Sequence, residues 1–215
     1  MIEILRQTVE FQNWGANFAT FSFLAVVFFT ILQGWSLFIQ NNTIRKSRSG
    51  ESLSTAFFIY CGCYFFMFMV YGITKNSIAM TFNGFLGIPY IPILFALYRF
   101  KGFTRKDWSF LVLSSLMIPT VYFLSGKARD VFTLAGLFGI LVPLAGQVRE
   151  MYRAKVPGSV EPKFIIAFMF SNMFWFVYGL TTGNWIFVVF NPISLTILTT
   201  ALVLYLKYKK RAALS

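Results

Sequence analysis

Seven long apolar runs decide what this chain can become: residues 16–39, 54–74, 77–98, 108–125, 130–148, 163–182 and 185–206. Each is close to the roughly 20 residues that a helix needs to cross the hydrocarbon of a bilayer. Unsatisfied backbone is so costly there that only helices and closed barrels span it. The runs are continuous rather than alternating, which selects helices over barrel strands. Composition agrees, with 57% hydrophobic and only 12% charged residues, against roughly a quarter charged in an average globular domain. The sequence therefore reads as an all-α integral membrane protein with seven transmembrane helices joined by short polar loops. Residues 1–15 are mixed in character and lack the basic start, apolar stretch and small-residue site of a cleavable signal. The first helix is expected to insert and stay.

The net charge of +12 does not point to nucleic acid, because the basic residues are not spread over one soluble face. Fifteen of the 19 lie on one side of the expected spans: Arg45, Lys46, Arg48, Arg99, Lys101, Arg105, Lys106, Arg149, Arg153, Lys155, Lys163, Lys207, Lys209, Lys210 and Arg211. Arg6, Lys75, Lys127 and Arg129 remain for the other. By the positive-inside rule the N-terminus is outside and the C-terminus cytoplasmic, most simply in the cell membrane. The tail KYKKR reads as a topology anchor on anionic lipid.

Catalytic chemistry finds no carrier here. The chain has no histidine, and Cys61 and Cys63 lie two apart on one span, hence on different faces. No metal, cofactor or nucleophile–base constellation follows. The acids are Glu3, Glu10, Glu51, Asp107, Asp130, Glu150 and Glu161. All are expected at helix ends or in loops, which leaves a proton relay without an evident residue. Asn41-Asn42-Thr43 matches a glycosylation sequon but falls on the cytoplasmic side, where it would go unused.

The chain also repeats itself. FMVYGITKNSIAMTFN, residues 68–83, returns as WFVYGLTTGNWIFVVFN, residues 175–191. At a shift of 107, Gln40 meets Gln147, Ser52 meets Ser159, Phe57 meets Phe164, and Val70-Tyr71-Gly72 meets Val177-Tyr178-Gly179. With one residue inserted at the turn, Asn76 meets Asn184 and Phe82-Asn83 meets Phe190-Asn191. Three helices per copy would invert the second copy. The unmatched fourth helix carries the chain back across, so the halves are parallel and related by an axis along the membrane normal. The expected organisation is a first triple-helix bundle at 1–103, a linker helix at 104–128, and a second bundle with its basic tail at 129–215.

Gln at the end of a helix, a basic loop, aromatic-x-x-Tyr-Gly, and Asn in the next helix together resemble the PQ-loop superfamily. Within it the closest likeness is to the SWEET sugar transporters. It rests on Ser159-Val160-Glu161-Pro162, on WFVYGL at 175–180 with Asn191, and on TFNG at 81–84. The chain departs from that pattern where Ile39-Gln40 and Gly146-Gln147 replace Pro-Gln, with Pro143 one turn earlier. Ser52-Leu53-Ser54-Thr55 stands where a proline opens the second helix. The resemblance implies passive sugar transport by alternating access, with Asn83 and Asn191 lining the pocket and Trp175 facing the sugar. Phe68 is the matching aromatic of the first half. Two facing aromatics would make a narrow slot suited to a monosaccharide. Tyr64 and Ser171 lie one turn before these rings on the same face, and Asn172 lies three before Trp175. Tyr71 and Tyr178, at the outer ends, are candidate gate residues or tyrosines seated at the membrane interface. Pro162, Pro143, Gln40 and Gln147 are candidate hinge or support residues.

The expected partner is a small neutral solute, a mono- or disaccharide, in a lipid bilayer. One chain holds both halves and suffices for one pathway, although a homo-oligomer is compatible. Two other readings stand beside this one: a related carrier of an amino acid or nucleoside-like solute, and a receptor without transport. The first would be expected to carry a buried acid, the second a basic residue within the cavity.

Overall fold

The computed structural model describes residues 6–48, 54–155 and 162–212, and all regular structure among them is helical. The order is α1 (Val9–Gln12), α2 (Phe18–Ser47), α3 (Thr55–Thr74), α4 (Ile78–Gly84), α5 (Gly87–Lys101), α6 (Arg105–Ser115), α7 (Met117–Phe123), α8 (Gly126–Ala154), α9 (Pro162–Thr182) and α10 (Trp185–Ala212). Starts follow the capping rules. Asn17 accepts from the Thr20 amide at 3.0 Å and Ser54 from the Phe57 amide at 3.3 Å, each satisfying a first-turn donor that the helix leaves free. Thr104 and Asp107 form a reciprocal capping box at α6.

Six spans are long and apolar enough to cross a membrane, α4 and α5 together supplying one of them. The expected fourth span is the exception, because it is split at Leu116 into α6 and α7. Pro119 has no N–H to give the Ser115 carbonyl, which interrupts the ladder there, and the Ser115 hydroxyl donates to the Val112 carbonyl at 2.7 Å. Pro89 breaks the third span in the same way, four residues after Phe85. The first and fifth spans run longer than expected, to Ser47 and Ala154, so Gln40 and Gln147 lie inside helices rather than at their ends. No proline stands directly beside either glutamine, and both helices run on past it. Both helices stop instead at residues with left-handed backbone, Arg48 (φ 49°) and Lys155 (φ 55°). Asn41 sits inside α2, buried, and accepts from Arg45 Nε at 3.3 Å, a poor place for a glycan.

Helix α2 shows what solvent the outside meets. Phe18, Phe28 and Trp35 are 75%, 57% and 63% exposed, an apolar stripe suited to lipid and not to water. Within the molecule, α2 packs on α4 and α5, and these pack on α3. In the second half α8 packs on α10, and α10 on α9. The broadest contacts between the halves are α2 against α9 and α3 against α8, with α6 and α7 lying over α3. The two seams exchange under the repeat, since α8 is to the second half what α2 is to the first. This is the all-α arrangement of two parallel triple-helix bundles joined by a linker. We call the end bearing the α3–α4 turn the upper end and the end bearing Arg45 and Arg99 the basic end.

Candidate functional site

The repeated Tyr-Gly closes each half at the upper end. The amide of Ser77 donates to the Gly72 carbonyl at 3.0 Å and that of Asn184 to the Gly179 carbonyl at 2.9 Å. Asn76 (φ 50°) and Gly183 (φ 68°) supply the left-handed residue of each turn. A side chain at Gly72 would meet the Thr81 backbone, and one at Gly179 would lie 2.8 Å from Phe187 Cβ. The structural equivalents at the turn are therefore Asn76 with Gly183 and Ser77 with Asn184, all at a shift of 107. This corrects the expected pairing of Asn76 with Asn184. The extra residue of the second copy is absorbed after the turn, so Asn83 is the sixth residue of α4 whereas Asn191 is the seventh of α10. One residue turns a helical side chain by about 100°.

That rotation shows in their partners. Asn83 is buried and donates through Nδ2 to Thr30 Oγ1 of α2 at 2.9 Å. Asn191, 2% exposed, donates to the Phe187 carbonyl of its own helix at 2.8 Å. The two aromatic candidates do meet. Phe68 and Trp175 lie edge to face with centroids 6.0 Å apart on the join between halves. Phe187 closes the group, 4.6 Å from Trp175 and 6.0 Å from Phe68. The rings touch each other rather than flanking an open slot.

Tyr64 stacks on Phe68 at 5.7 Å. It is 2% exposed, and its hydroxyl is the buried side-chain polar atom that has no hydrogen-bond partner among the described residues. Such groups are rare because they cost the full desolvation penalty. Ser171 is buried on the α2–α9 seam and accepts from Gln33 Nε2 at 3.3 Å. Asn172 donates to the Phe168 carbonyl at 2.7 Å. Gln40 is half-buried in α2. The side chains of Pro143, Gln147 and Pro162, and all of Ser159–Glu161, lie outside the described residues.

At the upper end the two gate candidates meet acids that sequence reasoning did not count among the site residues. Tyr71 is fully buried and donates to Asp130 Oδ1 at 3.1 Å, and Lys75 pairs with the same carboxylate oxygen at 2.7 Å. Tyr178, equally buried, donates to Glu10 Oε1 at 2.6 Å. Both acids lie at helix ends, as their positions suggested, yet neither is solvent-facing: Glu10 is 4% and Asp130 9% exposed. No repeat signal marked them, because Glu10 and Asp130 are 120 residues apart, not 107. Phe187 was missed for a similar reason, since it lies between the matched positions.

Two cavities lie away from the rings. One of about 380 Å³ at the basic end is lined by Arg45, Arg48, Phe95, Ala96, Arg99 and Phe100. Another of about 310 Å³ lies at the upper end beside Gly72, Asn76 and Phe85.

Residues 132–213 match a family model described as "Sugar efflux transporter for intercellular exchange". A solved structure titled as that of a eukaryotic SWEET transporter superposes with a TM-score of 0.75 at 16% identity, covering 90% of this chain and 97% of that one. No curated protein matches the sequence. These likenesses are to transporters and not to enzymes. The chain thus has the SWEET fold over nearly its whole length, and its second half matches the sugar efflux transporter family in sequence.

Proposed function

We propose that the chain is a passive, bidirectional sugar transporter, a uniporter that works by alternating access in the cell membrane with its upper end outside. The observation that carries this reading is the meeting of Phe68 and Trp175 at 6.0 Å on the join between halves. Each half contributes one ring, so separating the halves opens an aromatic-walled space that neither half owns. Aromatic faces suit the C–H faces of a pyranose. Asn83 and Asn191 border that space from α4 and α10. Each commits one amide N–H within its own half, which fixes the carboxamide plane. The remaining donor and the carbonyl oxygen are what a sugar hydroxyl meets. Tyr64, Ser171 and Asn172 complete the pocket, and Tyr71 and Tyr178 close it at the upper end. The repeats correspond to residues 1–103 and 129–215 around the linker 104–128, and one chain encloses one pathway.

The buried carboxylates of Glu10 and Asp130 favour one second reading, a proton-coupled carrier of another small solute. Labelled glucose and sucrose uptake into proteoliposomes decides between them, with and without a pH gradient, for the parent chain and Asn191→Ala. Saturable uptake indifferent to the gradient and lost in the variant supports the uniporter. Uphill uptake driven by the gradient supports the second reading. No sugar flux above empty liposomes sinks the first.

A further inference from the structure

The segment before the first membrane helix is tied into the join between the halves. Val9 donates its amide to the Asn76 carbonyl at 3.0 Å, which sets α1 against the α3–α4 turn. Glu10 then accepts from four donors: Ser77 Oγ at 2.7 Å, the Ile78 and Ala79 amides at 2.9 and 3.0 Å, and Tyr178 Oη at 2.6 Å. Ser77 Oγ and Tyr178 Oη are themselves 2.9 Å apart. A buried charge is tolerated only when it is paired or well bonded, and this one is bonded by both halves at once. Three donors belong to the first half and one to the second.

We propose that Glu10 is a positioning residue of the upper gate: with Ser77 it clasps the Tyr178 hydroxyl of the second half to the first half, and opening there requires that hydroxyl to leave. This rests on the reading of the chain as an alternating-access transporter. The uneven division of donors gives the clasp its direction. When the halves part, Glu10 keeps Ser77, Ile78 and Ala79, so its charge is never left bare and it stays with α4. Tyr178 is the partner that leaves, and its hydroxyl takes up water. The other tyrosine supports the same logic in reverse. Tyr71 of the first half donates to Asp130 of the second, which also holds Lys75 of the first. Each half thus sends a tyrosine to a carboxylate supplied by the other. The Asp130 clasp crosses the join with an ion pair as well as a hydrogen bond, whereas the Glu10 clasp crosses it with the tyrosine alone. The Glu10 clasp is therefore the one that a single hydroxyl controls.

Tyr178→Phe removes that hydroxyl and leaves Glu10 with three donors, so the variant creates no orphaned charge. Glu10→Ala removes the clasp from the other side. Spin labels at Ile73→Cys and Leu180→Cys, both exposed and on α3 and α9, report the upper opening by pulsed electron resonance in lipid nanodiscs. Cys61 and Cys63 are replaced by alanine in this background, and no solute is present. In each variant the wider population is expected to rise about tenfold over the parent, the scale of one hydrogen bond to a charged group. The double variant is expected to fall well short of the sum of the single shifts, because both variants remove the Glu10–Tyr178 bond. Glu10→Ala with a lowered melting temperature but unchanged distances would reduce Glu10 to an anchor of the N-terminal segment and overturn the proposal. Additive shifts in the double variant would also overturn it. The distances do not depend on flux. Shifted populations in a protein that moves no sugar would sink the sugar reading and leave the clasp standing, while normal sugar flux with unshifted populations would sink the clasp alone.

Discussion

Replacing Tyr64 with phenylalanine sets two readings of one atom against each other. The Tyr64 hydroxyl is buried at 2% residue exposure with no hydrogen-bond partner among the described residues. Leaving such a group unpaired costs about 1–3 kcal/mol. Phenylalanine keeps the ring that stacks on Phe68 at 5.7 Å and packs on Phe65 at 5.6 Å, so little else changes. The closed form of Tyr64→Phe is therefore expected to be more stable by about 1–3 kcal/mol. For a chain of this size each kcal/mol moves the melting temperature by about 2–4 °C, so a rise of about 2–12 °C is the range to look for in detergent. If the hydroxyl is unpaired because it waits for solute, sugar uptake must fall at the same time. Losing one neutral hydrogen bond to a bound hydroxyl raises the half-saturation concentration by roughly 3- to 10-fold. Melting by intrinsic fluorescence and initial uptake rates in proteoliposomes read the two effects separately. A variant that is no more stable shows that the hydroxyl already has a partner, and the reasoning fails at its first step. A variant that is more stable with unchanged uptake removes Tyr64 from the pocket.

Phe68→Ala takes away a ring in contact with Trp175, Phe187, Tyr64 and Tyr71. The sucrose-to-glucose uptake ratio is expected to rise roughly tenfold, the scale of one pocket contact, whereas an unchanged ratio assigns Phe68 to packing alone. Gly72→Ala places a Cβ against the Thr81 backbone, which cannot yield as a side chain would. The expected loss is on the order of 1–3 kcal/mol, seen as a lower melting temperature, and a neutral Gly72→Ala refutes the close approach of α3 and α4. Asp107 is held below the usual carboxylate range, first by the Thr104 hydroxyl and then by its amide. A carboxyl shifted downward on folding stabilises above its unfolded value and stops doing so as pH falls through the folded one. The gap in melting temperature between the parent and Thr104→Ala, about 1 kcal/mol for a cap, is thus expected to narrow as pH drops below about 4. A gap that is constant across that range removes Asp107 from the cap.

Much was legible in the sequence because a bilayer enforces simple rules. Apolar length sets where a helix can cross, and the placement of Arg and Lys sets an orientation, without any knowledge of packing. Repetition of the chain made Phe68 and Trp175, or Tyr71 and Tyr178, recognisable as pairs before any contact was known. The breaks beside Pro89 and Pro119 were not read, because the apolar pattern runs straight through them and proline alone does not mark a break: Pro92 and Pro192 sit inside unbroken helices. What only the tertiary structure decided is which groups face one another across the join. Asn83 reaches Thr30 while Asn191 stays on its own helix, because one extra residue after a turn rotates the whole helix that follows. The rings of Phe68 and Trp175 could have flanked a slot, and their edge-to-face contact depends on how two bundles dock. Glu10 and Asp130 look like ordinary helix-end acids in one dimension. They become clasps because folding carries the N-terminal segment to Ser77 and Tyr178, and the start of α8 to Tyr71 and Lys75, across separations in the chain that no local pattern encodes.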